Sequence, residues 1–255
     1  MISSPSCPGQ CVILVGGLGT RLGEHVRETP KPMLDVGGRP FLLYLMAQAA
    51  RHGFASFLLL AGYQADALRD YFLCDEWRLL LSECEAVRNA QVEILVETEP
   101  LGTGGALKAA APHLHETFLL MNGDSYCQCD IGAVCRPFGK PSAVARMALR
   151  RVPDCGRYGK VELVNGCVSE FHEKGEVSGP GLINAGVYCL RKEAAGMLPS
   201  GKSSLESDLF PFLSRTGRLE GMDVGNGCFI DIGIPEDLKR ARSIAPDAFE
   251  ERAST

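Results

Sequence analysis

Dense apolar runs at 11–15, 56–61, 92–96 and 117–122 have the length and composition of strands covered on both faces. Between them the apolar positions recur at helical spacing. Pro40 is placed to open a helix that runs to about His52 with Gly53 as its stop, and Gln64 to Phe72 and Gly104 to Ala111 read as two further helices. Strands alternating with helices predict an α/β fold with a mainly parallel sheet and helices on its faces. From about residue 142 the rhythm changes. ARMALR, GKVELV, CVSEFHEK and INAGVYCL read as strands with short connections, hence a partly antiparallel lobe, and SLESDLFPFL and PEDLKRAR supply helices. The expected organisation is a single domain over 11–244, with halves 11–141 and 142–244, between an N-terminal extension at 1–10 and a tail at 245–255.

Composition narrows this picture. A chain of 255 residues with 45% hydrophobic content can bury a sizeable core. The net charge of −5 argues against general nucleic-acid binding, so an anion site has to be local and its ligand small. The 11 cysteines are scattered and odd in number, and no charged, apolar leader precedes them, which predicts reduced thiols and a cytoplasmic protein. No apolar run approaches the roughly 18 residues of a membrane span.

Three loops follow predicted strands, at 16–23, 97–103 and 123–130, where open α/β sheets hold their ligands. The first contains Gly16-Gly17-x-Gly19 followed by Thr20-Arg21, with Pro30-Lys31-Pro32 close behind. Glycines let bare N–H groups approach a phosphate, Arg21 and Lys31 bring two cations, and the flanking prolines stiffen the lysine's segment. The glycines alone are also what any tight strand-to-helix turn uses. The loop lacks the GxxxxGK[ST] spacing and the third glycine of a dinucleotide fingerprint. Asp124 in NGDS and Asp231 in FIDIG each end an apolar run. Singly, each also fits a turn or cap. Together they suit Mg²⁺, which takes a few hard oxygen ligands and leaves the rest of its octahedron to water and phosphate. His172, Glu206, Asp208 and the Arg150-Arg151 pair read as structural: a strand histidine, a helix start and a solvated strand end. Cys127 and Cys129 read as buried thiols.

GGLGTRL followed by PKPM, then EPLGTGGALK, NGDS, YGKVEL, EKG, LINAGVY and FIDIGIPEDLKRA in that order, resemble the sugar-phosphate nucleotidylyltransferases over about residues 11 to 242. The resemblance implies a Rossmann-like sheet with a sugar-binding lobe, and nucleotidyl transfer from a nucleoside triphosphate to a sugar 1-phosphate, GTP and a heptose 1-phosphate first, with Mg²⁺ as cofactor. It implies that Leu14, Gly16, Gly17, Gly19, Thr20, Glu99, Gly104 and Asp124 meet the nucleotide, that Arg21 and Lys31 act on its phosphates, and that Asp124 and Asp231 hold the metal. Gly159, Glu173, Lys174 and Asn184 match positions that hold the sugar 1-phosphate. Glu99 is expected to read guanine, since a carboxylate matches the two adjacent donors of that base. Uridylyl or thymidylyl transfer, a non-catalytic regulatory subunit and a nicotinamide-dependent dehydrogenase stay as rivals, and the oligomeric state stays open, a homo-oligomer among the options.

Overall fold

The computed structural model describes residues 9–17, 29–62, 64–75, 77–78 and 90–244. Its first strands are β1 (Gln10–Leu14), β2 (Asp35–Val36), β3 (Arg39–Pro40), β4 (Ser56–Ala61), β5 (Gln91–Val96), β6 (Thr117–Asn122) and β7 (Ser125–Cys127). They are followed by β8 (Ala145–Val152), β9 (Val161–Val164), β10 (Cys167–Phe171), β11 (Gly181–Arg191), β12 (Leu219–Asp223) and β13 (Phe229–Asp231). The helices are α1 (Phe41–Arg51), α2 (Ala65–Leu73), α3 (Gly102–Ala109), α4 (Ile131–Val134), α5 (Glu193–Gly196), α6 (Phe210–Arg215) and α7 (Pro235–Ile244).

Nine strands form one continuous sheet in the order β5-β4-β1-β6-β11-β8-β12-β10-β9. The β5, β4, β1 and β6 stretch is parallel, as the alternation of elements predicts. Beyond it β11 runs antiparallel to both β6 and β8, and β10 antiparallel to β12 and β9. The partly antiparallel lobe is thus an extension of the same sheet. Strand β12, which lies parallel to β8, does not stand out in the sequence because LEGMD lacks an apolar run.

Strand β1 explains why the sheet needs helices on both faces. Cys11 and Ile13 point into one core with α1, while Val12 joins Leu58, Leu60 and Leu120 in a second core with α3 and α6. Alternation along a strand sends successive side chains to opposite faces, so an unbroken apolar run is buried only between two layers. Helix α1 starts after Pro40 and stops before Gly53, whose φ of +89° is the left-handed turn that glycine accepts most readily.

The chain leaves β1 toward β4 and β5 and later returns on the other side to β6. Between the carboxyl ends of β1 and β6 lies the point at which the order reverses, and there a sheet of this kind opens a crevice.

Candidate active site

Two adjoining cavities open at that crevice. The larger, about 440 Å³, is bounded by Lys31, Asn122, Asp124, Asp231, Lys174, Asn184 and Glu206 among others. The smaller, about 200 Å³, is bounded by Leu14, Gly17, Lys31, Thr103, Asp124 and Glu206 among others. Lys31, Asn122, Asp124 and Glu206 belong to both walls.

Lys31 opens a single 3₁₀ turn, Lys31–Met33, between Pro30 and Pro32. The lysine is only 9% exposed, and its Nζ lies 2.5 Å from Asp124 Oδ2. Asp124 follows β6, and its other oxygen accepts from Ser125 Oγ at 3.0 Å. Strand β13 pairs with β7 so that Asp231 stands opposite Ser125, and the Ile232 N–H donates to the Asp124 carbonyl at 2.9 Å. Two carboxylates 107 positions apart in sequence are therefore fixed side by side through backbone pairing. Burial, then the charge of Asp124, pushes the Asp231 carboxyl above the usual carboxylate range, with the Lys31 ammonium and the Gly233 N–H opposing the shift. Carboxylates that repel one another in this way form a donor set that fits a hard divalent cation, which would remove the repulsion.

Gly16 serves a close approach: a Cβ there would lie 3.1 Å from the Gly62 nitrogen, so the loops after β1 and β4 touch backbone to backbone. Gly17 is exposed on the wall of the smaller cavity. Gly19, Thr20 and Arg21 lie outside the described residues.

Four expectations from the sequence land elsewhere. Glu99 is exposed beyond the end of β5 and, like Glu97, is not among the residues that bound either cavity. Two residues earlier Glu97 folds back: its Oε2 accepts the Leu101 N–H at 3.0 Å and would lie 3.5 Å from a Cβ at Gly62. Burial raises the Glu97 carboxyl above its ordinary value, against the Leu101 hydrogen bond. Gly104 is not among the residues that bound either cavity. It is buried in α3, its N–H donates to the Ser203 carbonyl at 2.9 Å, and a Cβ would collide with Leu198 and Ser203 at 2.8 Å. Gly159 is required by its turn, with φ +82° and only 2.6 Å between a Cβ and the His172 carbonyl oxygen. Glu173 is exposed and is not among the lining residues, whereas its neighbour Lys174 is.

Asn184 does face the larger cavity, with Nδ2 donating to the Tyr188 hydroxyl at 2.8 Å and Oδ1 accepting the Gly186 N–H at 3.0 Å. His172 lies outside it, 3.7 Å from Glu162. Arg151 is the exposed strand-end cation the sequence suggests, paired with Asp223. Arg150 is not: it is half-buried, donates to the Gly227 carbonyl and lies over the Phe229 ring, bracing the strand that carries Asp231. Cys127 and Cys129 are buried, and no cluster of three metal-ligating His, Cys, Asp or Glu side chains occurs among the described residues. Among those residues no helix is long and apolar enough to cross a membrane.

Asn122, Thr103 and Glu206 were not singled out as ligand contacts by the sequence. Asn122 ends β6 next to the NGD turn, Thr103 lies inside the glycine-rich start of α3, and Glu206 follows a capping serine. Each type is common in such a structural position, so no residue-type signal separates them from turns and caps.

The chain matches the nucleotidyl transferase family over residues 10–247. It is 32% identical to the D-glycero-α-D-manno-heptose 1-phosphate guanylyltransferase of Aneurinibacillus thermoaerophilus, across 91% of this chain and 96% of that protein. The crystal structure of HddC from Yersinia pseudotuberculosis complexed with GMP-PN is 35% identical, with a TM-score of 0.76 over 92% of this chain and 98% of that one. The inositol-1-phosphate CTP transferase of T. maritima shares the fold at a TM-score of 0.76 and 17% identity. The crevice at the reversal of the sheet order, the cation and paired carboxylates on its rim, and these matches agree: the chain belongs to the nucleotidyl transferase family, among its sugar-phosphate nucleotidylyltransferases.

Proposed function

We propose that the protein transfers a guanylyl group from GTP to D-glycero-α-D-manno-heptose 1-phosphate, releasing pyrophosphate and forming GDP-heptose. One observation carries the reading within the family. Lys31 and Asp124 stand where the two cavities meet, and Asp231, Lys174 and Asn184 line the larger. A nucleotide entering by Leu14 and Gly17 and a sugar phosphate held by Lys174 would meet at this charged junction. The heptose and guanine assignments follow from the relatives' activities.

In the reaction a phosphate oxygen of the sugar 1-phosphate attacks the α-phosphorus of GTP, and the bond to the bridging oxygen of pyrophosphate breaks. The attacking phosphate is already anionic, so no general base is needed, and among the described residues neither cavity wall contains a histidine or cysteine. The chain's task is to position the reactants and offset their charge. Lys31 is built for the second part, since its backbone lies between two prolines and its ammonium is held by one carboxylate before substrate arrives. Arg21, from the same glycine segment of the sequence, would add a second cation at the phosphates. Asp124 and Asp231 would hold Mg²⁺, which when bound neutralises phosphate charge and polarises the phosphoryl oxygens. Glu97, its carboxylate turned toward the Gly16–Gly62 contact, would accept the N1–H and N2 amino donors of guanine.

The test is pyrophosphate release over a matrix of GTP, UTP, dTTP, CTP and ATP against heptose, mannose, glucose and N-acetylmuramate 1-phosphates. Fastest turnover is expected for GTP with the heptose. Turnover confined to UTP or dTTP would overturn the guanylyl assignment. Binding of a sugar nucleotide with no release from any pair would make the chain a regulatory subunit.

A further inference from the structure

Glu206 has no place in the chemistry above, yet it lines both cavities. It is the second residue of a π-helical turn, Leu205–Leu209, capped by Ser204, whose Oγ accepts the N–H groups of Glu206 and Ser207. Its own carboxylate is half engaged. Oε2 accepts from Thr103 Oγ1 at 3.0 Å and from Ser204 Oγ at 2.9 Å. Thr103 is held in turn, because its hydroxyl accepts the Leu205 N–H at 2.9 Å. These bonds fix the carboxylate in place, while among the described residues no hydrogen bond or ion pair reaches Oε1.

The charge of Glu206 is also uncompensated: among the described residues no cation pairs with it, and Lys31 is taken up by Asp124. A bare carboxylate in a cavity that admits phosphates repels them, so its complement has to be a neutral donor such as a hydroxyl. A second acceptor lies on the same walls. Asn122 Oδ1 is buried without a hydrogen-bond partner, and Asn122 borders both cavities. Buried acceptors of this kind are costly unless something satisfies them, and a ligand hydroxyl would.

The sheet decides which hydroxyls these are. The guanine end, at Gly16, Gly62 and Glu97, lies over β1, β4 and β5. Asn122 ends β6 on the opposite side of β1, and Asn184, Gly186 and Tyr188 belong to β11, one strand further on. The negative field of Glu206 reaches the Tyr188 hydroxyl, which burial already holds above its ordinary pKa. Glu206, on the wall that both cavities share, therefore reaches the acceptor side through the larger one.

Resting on the proposed transfer to a sugar 1-phosphate, we propose that Glu206 and Asn122 read hydroxyl groups of the acceptor sugar ring, Glu206 through Oε1 and Asn122 through Oδ1, making Glu206 a specificity residue. A site built to accept from a hydroxyl rejects the analogue lacking it, because its own polar atoms are then left unpaired.

Pyrophosphate release by the wild type, Glu206→Gln and Glu206→Ala tests this, with GTP and mannose or heptose 1-phosphate, followed by the 2-, 3-, 4- and 6-deoxy mannose 1-phosphates. Wild-type kcat/KM should fall by about 10–100-fold for the analogue missing the hydroxyl that is read. In Glu206→Ala, KM for the parent sugar should rise by a similar factor and that deoxy penalty should vanish, with KM for GTP held within about twofold. Glu206→Gln, which keeps the shape, should fall between. Equal deoxy penalties in wild type and alanine variant, a matching rise in KM for GTP, or a shifted Mg²⁺ requirement would each overturn the assignment while leaving the guanylyl reaction standing. A wild type that releases no pyrophosphate with any of these sugars would remove the proposed function, and this inference with it, before any variant is compared.

Discussion

The two ends of the site, the proposed nucleotide end and the proposed sugar end, are built by different means. At the nucleotide end, ionic groups gather beyond the parallel strands: Lys31 in its proline-braced turn, Asp124 just after β6, and Asp231 at the end of β13, brought alongside by the β7–β13 pairing. At the sugar end, amides and hydroxyls stand on the strands themselves, Asn122 on β6 and Asn184 with Tyr188 on β11, under a capped turn that carries Glu206. One end is concentrated charge and the other a network of neutral hydrogen bonds flanked by one cation, Lys174, and one unpaired carboxylate, Glu206. Charge stabilises what develops on the phosphates during transfer, while a neutral network grips a sugar that does not change. Loss at the first end should therefore appear in kcat, and loss at the second in KM for the sugar.

The hardest test of that division is Lys31→Met, which keeps the apolar stem and removes the ammonium. Removing one preorganised charge from such a site typically costs about 10²–10³ in kcat, with smaller changes in either KM. Thermal melting checks that the loss is not simply unfolding, since Asp124 is left without its partner. A variant that turned over at a near-normal rate would dissolve the distinction between the two ends.

Lys174→Met probes the boundary, because Lys174 is a cation on the wall of the larger cavity, at the proposed sugar end. If it binds the acceptor's phosphate in the ground state, KM for the sugar 1-phosphate should rise by about 10–100-fold while KM for GTP stays nearly constant. Steady-state titration of each substrate at saturating concentrations of the other separates the two. A fall in kcat as deep as that of Lys31→Met would move Lys174 into the transfer step and redraw the boundary.

The same contrast decides what the sequence discloses. Lys31, Asp124 and Asp231 are visible because phosphate and metal chemistry call for charged residues at strand ends, and two prolines around a lysine are unusual enough to notice. Parallel strands β1, β4, β5 and β6 are visible for a related reason: burial on both faces demands continuous apolar runs. Glu206 is hidden behind Ser204. The pattern does mark a helix start, and Ser204 and Asp208 fill that role, with the Ser204 N–H donating to Asp208 at 2.7 Å, but the cap conceals the carboxylate turned to the cavity. Gly104 and Gly159 resemble ligand-facing glycines, yet their small size serves Ser203 and His172, neighbours that only the tertiary fold supplies. Arg150 next to Arg151 looks like a solvated pair, and only the arrival of the 227–229 segment turns one inward. Strand β12 is specified by long-range pairing rather than by its own composition.

The subtlest of these differences separates Glu97 from Glu99, and it sharpens the comparison at the nucleotide end, where one carboxylate is assigned to recognition rather than to charge balance. Both glutamates precede Pro100, two residues apart, so neither spacing nor parity distinguishes them. The fold does, by ending β5 at Val96 and turning Glu97 back through the Leu101 N–H. An ionised Glu97 would accept from two guanine donors but meet a carbonyl oxygen beside the one N–H of uracil, a mismatch of about 1–3 kcal/mol. Glu97→Gln should therefore reduce the preference for GTP over UTP by about tenfold, the smallest of these effects. It should also alter the pH profile. Burial holds the Glu97 carboxyl above its ordinary value, so the acid limb of kcat/KM for GTP should begin above the ordinary glutamate range and be lost in the variant. The stability linkage has the matching sign: a raised carboxyl pKa favours the folded state below the unfolded-state value, and that contribution is lost as pH rises through the folded one. Measuring kcat/KM for GTP and UTP from pH 4 to 8 in wild type, Glu97→Gln and Glu99→Gln distinguishes the two residues. If Glu99→Gln alone changed base preference, the base would be read from beyond the strand end, and Glu97 would serve only to fold its own loop.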